Sequence, residues 1–215
     1  MQAWSIGLSA NFSTFALARR LIDAIAAALR QTGQAGPAEV LRRLSGQKLD
    51  EAHFRQLAAA ALPVLRYLPE CLREAQTVDP AIAADLTIIA GLLRWRQTAA
   101  YTDAVLGEGF TANYGWAQII GPSGLFSGDD FLLGLLMLGP HRHYRDHHHP
   151  APELYWPLTS GTLWRREPAP LTERPAGAMI WHKPHQIHAI ETREKPLLTV
   201  WVWTRETNTP ARLVD

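Results

Sequence analysis

Residues 141–157, HRHYRDHHHPAPELYWP, set five histidines, one glutamate and two tyrosines within seventeen positions. Imidazole and carboxylate together form the ligand set of catalytic Zn, Fe, Mn, Ni or Co sites. Successive side chains of a strand point to opposite faces, so residues two apart share a face about 6.5 Å along the chain. His147 and His149 therefore point the same way, as do Glu153 and Tyr155. Pro150 and Pro152 interrupt the chain between the two pairs and allow it to turn back. A second stretch, GAMIWHKPHQIHAIET, turns at Lys183-Pro184 and brings His188 to the start of another strand. The bare run His147-His148-His149 would also bind an immobilised metal without biological purpose, so the spacing to Glu153 and the distant His188 carry the reading. His141, His143, His182 and His185 are placed by default at the surface or around the site, and His148 in the background.

Two parts of different texture must position these groups. The chain has 215 residues, enough for one large domain or two small ones with a buried core. Its first hundred residues are rich in Ala, Leu and Arg. Phe15, Ala18, Leu21, Ile22, Ile25, Ala28 and Leu29 recur at the spacing of an amphipathic helix that stops near Gly33. PAEVLRRLSG predicts a second helix opened by Pro37, and further helices are expected over 50–61, 63–76 and 80–97. After about residue 105 the runs GWAQIIG, FLLGLLML, ELYWPL, GTLWRRE, GAMIWH, IHAIET and LLTVWVWT are separated by Gly and Pro, as in a β-sandwich or barrel. The fold class is α+β, with a helical region at 1–104 and a β-domain at 105–215.

Charge and cysteine content narrow the partners. Twenty-one Lys and Arg against twenty Asp and Glu give no field that selects nucleic acid or an anionic membrane. A single cysteine, Cys71, excludes an intrachain disulfide and a cysteine-rich zinc module, so a metal must use His, Glu, Asp or Tyr. The longest apolar run, FLLGLLMLG, is far short of the roughly 20 residues that span a bilayer. The first twenty residues lack the basic start and clean apolar stretch of a leader, and a cytoplasmic location is expected.

HHHPAPELYWPLTSG followed by GAMIWHKPHQIHAI resembles the two signature motifs of the cupin superfamily, H-x-H-x₃₋₄-E-x₆-G and a later Gly/Pro-rich stretch ending in His. Two departures stand out: seven residues separate Glu153 from Gly161, and Pro184 precedes His188 by four without the usual glycine. A narrower resemblance is to the cupin-type dimethylsulfoniopropionate (DMSP) lyases, which place a helical extension on a cupin barrel. That family has a Tyr two positions after the cupin Glu, here Tyr155, and another five before the second His of the pair, here Tyr144. The resemblance implies a double-stranded β-helix, or jelly-roll barrel, with a divalent metal on His149, Glu153 and His188. It implies His147 as a further ligand or neighbour, Tyr155 as the catalytic base and Tyr144 in support.

The implied reaction is a β-elimination of DMSP to dimethyl sulfide and acrylate. The α-proton is poorly acidic beside an anionic carboxylate, which is where a metal would help. Bringing a phenol from about 10 to about 7 needs roughly 4 kcal/mol of preferential phenolate stabilisation. The sulfonium cation would suit an aromatic face, and Trp181 and Trp203, among eight tryptophans, are the expected wall. The alternatives are a metal-dependent cupin oxygenase, a lyase-like cupin acting on another small carboxylate, and a non-catalytic effector-binding cupin. The partner is a small molecule, with no nucleic acid or membrane, and the helices either cover the barrel mouth or build a homodimer interface.

Overall fold

The computed structural model describes residues 13–214. The leader reading of residues 1–20 falls largely outside them. The first half carries helices α1 (Thr14–Arg30), α2 (Ala35–Leu44), α3 (Leu68–Val78), α4 (Pro80–Ile89) and the single turn α5 (Asp103–Leu106). Ser13 caps α1 by accepting from the Ala16 amide, and Asp79 caps α4 by accepting from Ala81 and Ile82. None of the described helices is long and apolar enough to cross a membrane.

Two expected helices are corrected. The segment 50–61 forms only a 3₁₀ turn at Glu51–His53 and then runs extended. Phe54 is drawn into an edge-to-face trio with Phe15 and Phe126, Arg55 binds the carbonyls of Gly121 and Gly124, and Ala60 pairs with Arg94. The helix expected over 80–97 ends at Ile89 with a 3₁₀ turn to Leu92. Beyond it the backbone of Trp95 bonds to Ala60, and that of Arg96 exchanges two bonds with Trp116. In both cases backbone pairing to a distant segment overrides local helix preference.

The first strand begins at Tyr114. The strands are β1 (Tyr114–Ile120), β2 (Leu132–Leu138), β3 (His143–His148), β4 (Glu153–Pro157), β5 (Thr162–Arg166), β6 (Thr172–Arg174), β7 (Ile180–His182), β8 (His188–Thr192), β9 (Leu197–Trp203) and β10 (Arg212–Leu213). They form two sheets, β1-β2-β9-β4-β7 and β10-β3-β8-β5-β6, with antiparallel pairing throughout. The arrangement is the expected jelly roll, drawn as two facing sheets rather than one closed barrel.

The first sheet divides its residues by parity. Ala117, Leu133, Leu135, Met137, Leu154, Trp156, Val200 and Val202 join the helical core formed by residues such as Leu21, Ile25, Ile82 and Leu86. Tyr114, Leu132, Leu136, Tyr155 and Trp201 form a second cluster between the sheets. Gly134 lies opposite Trp201 in the register, and a Cβ there would stand 3.0 Å from the indole. The Ala117 carbonyl oxygen stands closer still, so the missing side chain accommodates both that backbone and the ring.

Candidate metal centre and cavity

The two sheets meet at the residues singled out from sequence. On the second sheet His147 lies directly opposite His188. On the first, Glu153 lies opposite His182 on one side and Trp203 on the other. His149 sits just past β3, where the chain leaves one sheet through Pro150-Ala151-Pro152 and enters the other as β4. All five of His147, His149, Glu153, His182 and His188 are buried.

The orientation of the imidazoles is set by backbone. His147 Nδ1 lies 2.8 Å from the Arg145 carbonyl, His149 Nδ1 2.9 Å from Ala151, and His188 Nδ1 2.8 Å from Gln186. A carbonyl only accepts, so each Nδ1 carries a proton and Nε2 is the nitrogen left for another partner. Two of those Nε2 atoms face one carboxylate oxygen: His149 at 2.9 Å and His188 at 3.1 Å from Glu153 Oε2. The His188 contact is too poorly aligned for a hydrogen bond, which leaves that buried nitrogen without a partner. Lone pairs held this close need positive charge between them, either a proton or a metal ion. Among the described residues His149, Glu153 and His188 are the one group of three whose ligand atoms converge within 4.8 Å. Nitrogen and oxygen donors with fixed tautomers fit a borderline divalent transition metal.

His147 flanks this group, with its ring centroid 4.0 Å from that of His188 and 6.4 Å from that of His149. Burial, then the neighbouring His188, pushes its pKa well below the usual histidine range. Burial alone would raise the Glu153 carboxyl, but the charge and hydrogen bond of His149, with His182 and His188, hold it well below the usual range. Trp203 donates its indole N–H to Glu153 Oε1 at 2.8 Å. Sulfur is absent from the cluster: Cys71 lies in the helical core, where burial pushes its thiol up to about 12.

A cavity of about 240 Å³ opens from Glu153 into the space between the sheets. Tyr101, Tyr114, Tyr144, Tyr155, Trp116, Trp201 and Trp203 line it, and Glu153 is the one charged side chain among its described lining residues. Burial and then the Glu153 charge push the Tyr155 phenol well above its ordinary pKa. Burial and the neighbouring Tyr101 and Tyr114 do the same to Tyr144, whose ring stacks on His147 with centroids 3.9 Å apart.

The structure brings His147, His149, Glu153, Tyr155, His188, Tyr144 and Trp203 together and leaves Trp181 out. Trp181 lies on β7 between Ile180 and His182, both of which face inward, so alternation turns it to the helical side. There a Cβ on Gly36 of α2 would come within 2.8 Å of its ring. Trp181→Ala is accordingly expected to cost about 2–4 kcal/mol of stability by opening a void under α2, with KM for the substrate changed less than twofold. Thermal unfolding beside steady-state kinetics checks this, and a large KM rise without destabilisation would contradict the placement.

Of the histidines expected at the surface or around the site, His182 is the one that lies around it. It is 1% exposed, stacked on His188 at 4.1 Å, with Nδ1 4.0 Å from Glu153 Oε2. Burial, then His188, brings its pKa down to about 4. Its even parity with Ile180 on β7 was the available signal. His141, His143 and His185 are exposed, and His148 is half-buried. Tyr101, Tyr114 and Trp116 were not foreseen in the site, because they reach it from segments far from the histidine motifs.

The profile of the dimethylsulfoniopropionate lyase family matches residues 36–199. The dimethylsulfoniopropionate lyase DddQ of Ruegeria pomeroyi is 27% identical over 150 residues, covering 67% of this chain and 74% of that protein. A chain from the crystal structures of the DMSP lyases RdDddP and RnDddQII superposes with a TM-score of 0.72 at 25% identity, over 94% of this chain and 100% of that one. The crystal structure of DMSP lyase DddQ from Ruegeria pomeroyi DSS-3 gives a TM-score of 0.66 at 18% identity, over 92% and 96%, and shares the fold.

Proposed function

The chain belongs to the dimethylsulfoniopropionate lyase family, and from that premise we propose that it cleaves DMSP to dimethyl sulfide and acrylate by a metal-dependent β-elimination. Membership makes it a carbon–sulfur lyase. The observation that carries the metal-dependent reading is the convergence of the His149 and His188 Nε2 lone pairs on the Glu153 carboxylate, with every Nδ1 tied to a carbonyl. These three residues would hold the ion, with His147 completing the set from beside His188. The donor set suits Zn, Fe, Mn, Ni or Co alike.

Bound there, a divalent ion would draw charge from the substrate carboxylate, acidifying the α-proton, and would offset the Glu153 charge that otherwise keeps Tyr155 protonated. Tyr155 is the base. Its phenolate oxygen takes the α-proton, the released electron pair forms the Cα=Cβ bond, the Cβ–S bond breaks, and dimethyl sulfide leaves with the sulfur electron pair. The leaving group is neutral and needs no acid, in keeping with a cavity whose described lining holds no Lys, Arg or His. The aromatic walls exclude water and offer π-faces to the sulfonium, with Trp203 of the two expected tryptophans among them. Tyr144 supports the site by stacking on His147.

The test is to strip the protein with a chelator, reload it under anaerobic conditions with each divalent metal separately, and assay dimethyl sulfide and acrylate. Product is expected only after reloading, in equal amounts of the two compounds. Turnover by the stripped protein would remove the metal from the reaction. A strict need for O₂ would point to an oxygenase, and no product with any metal would overturn DMSP as substrate.

A further inference from the structure

We propose that Tyr101, from the segment joining α4 to α5, is a substrate-binding residue that donates its hydroxyl hydrogen to the substrate carboxylate. This rests on the lyase reading above. The cavity must receive an anionic carboxylate, yet its described lining holds no Lys or Arg, and the one charge there is the like charge of Glu153. The carboxylate therefore depends on neutral donors for whatever the metal leaves unbound, because a buried carboxylate without donors is costly.

Tyr101 is a neutral donor in the wall of that cavity. It is 4% exposed and wedged between Tyr114 and Tyr144, with ring centroids 5.8 and 5.4 Å away. The Tyr144 hydroxyl donates to the Tyr101 oxygen at 3.0 Å, and that bond fills the acceptor side of Tyr101. Among the described residues the Tyr101 hydrogen has no protein acceptor, while the residue forms part of the cavity wall. Accepting from Tyr144 also polarises its own O–H and makes it a stronger donor. Burial raises the Tyr101 phenol against the opposing hydrogen bond from Tyr144, with the Glu153 charge adding to it, so the hydroxyl keeps its proton to donate. Tyr114 is differently engaged, since its hydroxyl pairs with Thr98. In this arrangement the helical part of the chain contributes one wall of the binding site as well as covering the sheet.

Tyr101→Phe keeps the ring and removes only the donor. KM for DMSP is expected to rise about tenfold, the loss typical of one hydrogen bond to a charged group, with kcat changed less. Acrylate, which keeps the carboxylate and lacks the sulfonium, should bind about tenfold more weakly in a titration of tryptophan fluorescence, with metal content and melting temperature unchanged. Acrylate affinity and KM within twofold of wild type would overturn the role of Tyr101 while leaving the lyase reading in place. Absence of DMSP cleavage by the wild type would overturn the lyase reading, and the acrylate titration would then decide Tyr101 alone.

Discussion

Replacing Tyr155 with phenylalanine is expected to lower kcat by about 10³-fold, because a positioned general base typically contributes 10²- to 10⁴-fold. The ring would keep its contact with Trp164, 5.1 Å between centroids, and the substitution deletes a single oxygen that borders the cavity. Metal content and unfolding temperature should therefore match wild type within error, which separates loss of the base from loss of the site. The phenol must shed its proton before it can act, and both burial and Glu153 oppose that. Wild-type kcat/KM should accordingly rise with pH, and whatever activity remains in the variant should lose that rising limb. Retention of more than about a tenth of wild-type kcat would exclude Tyr155 as the base.

Glu153→Gln is expected to weaken metal affinity by at least about 100-fold and to abolish DMSP cleavage at ordinary metal concentrations. The amide is nearly the same size, so the Trp203 hydrogen bond to Oε1 survives, but the anion that draws the histidine nitrogens together is gone. Linkage gives a readout independent of turnover. At a metal concentration 100 times Kd the wild type gains about 2.7 kcal/mol, and the variant should gain less than about 0.5 kcal/mol in the same buffer. Metal-free, the two proteins should differ little, since exchanging a buried carboxylate for an amide removes a desolvation cost along with an ion pair. Equal stabilisation of both by metal, followed by calorimetry across several metals, would show that Glu153 is not a ligand.

The linear chain displayed the candidate ligand cluster because its members are close together or carry their own punctuation. His147, His149 and Glu153 span seven positions, and His188 follows a Lys-Pro turn. Strand parity put Trp201 and Trp203 of β9 on one face, but β9 is apolar at nearly every position, so only the structure turns that face to the cavity. Parity failed at β7, a strand of three residues, where a single tryptophan offers no period from which to read a face. It was silent on Tyr101, Tyr114 and Trp116, which enter through contacts between segments more than twenty residues from the histidine motifs. Extended segments 54–62 and 93–97 read as helix because their pairing partners lie elsewhere in the chain, and local composition holds no record of a bridge to Phe126 or Trp116.

The two-faced first sheet bears on how this protein would tolerate change. Along β4 the order Glu153, Leu154, Tyr155, Trp156 runs cavity, core, cavity, core. A saturation library scanned along β2, β4 and β9 should return a period-two phenotype: variants that express poorly alternating with variants that express well and have altered turnover. Neighbouring codons would then answer to different selections, so a lineage could retune what the cavity accepts at every second position while leaving its thermal tolerance nearly untouched.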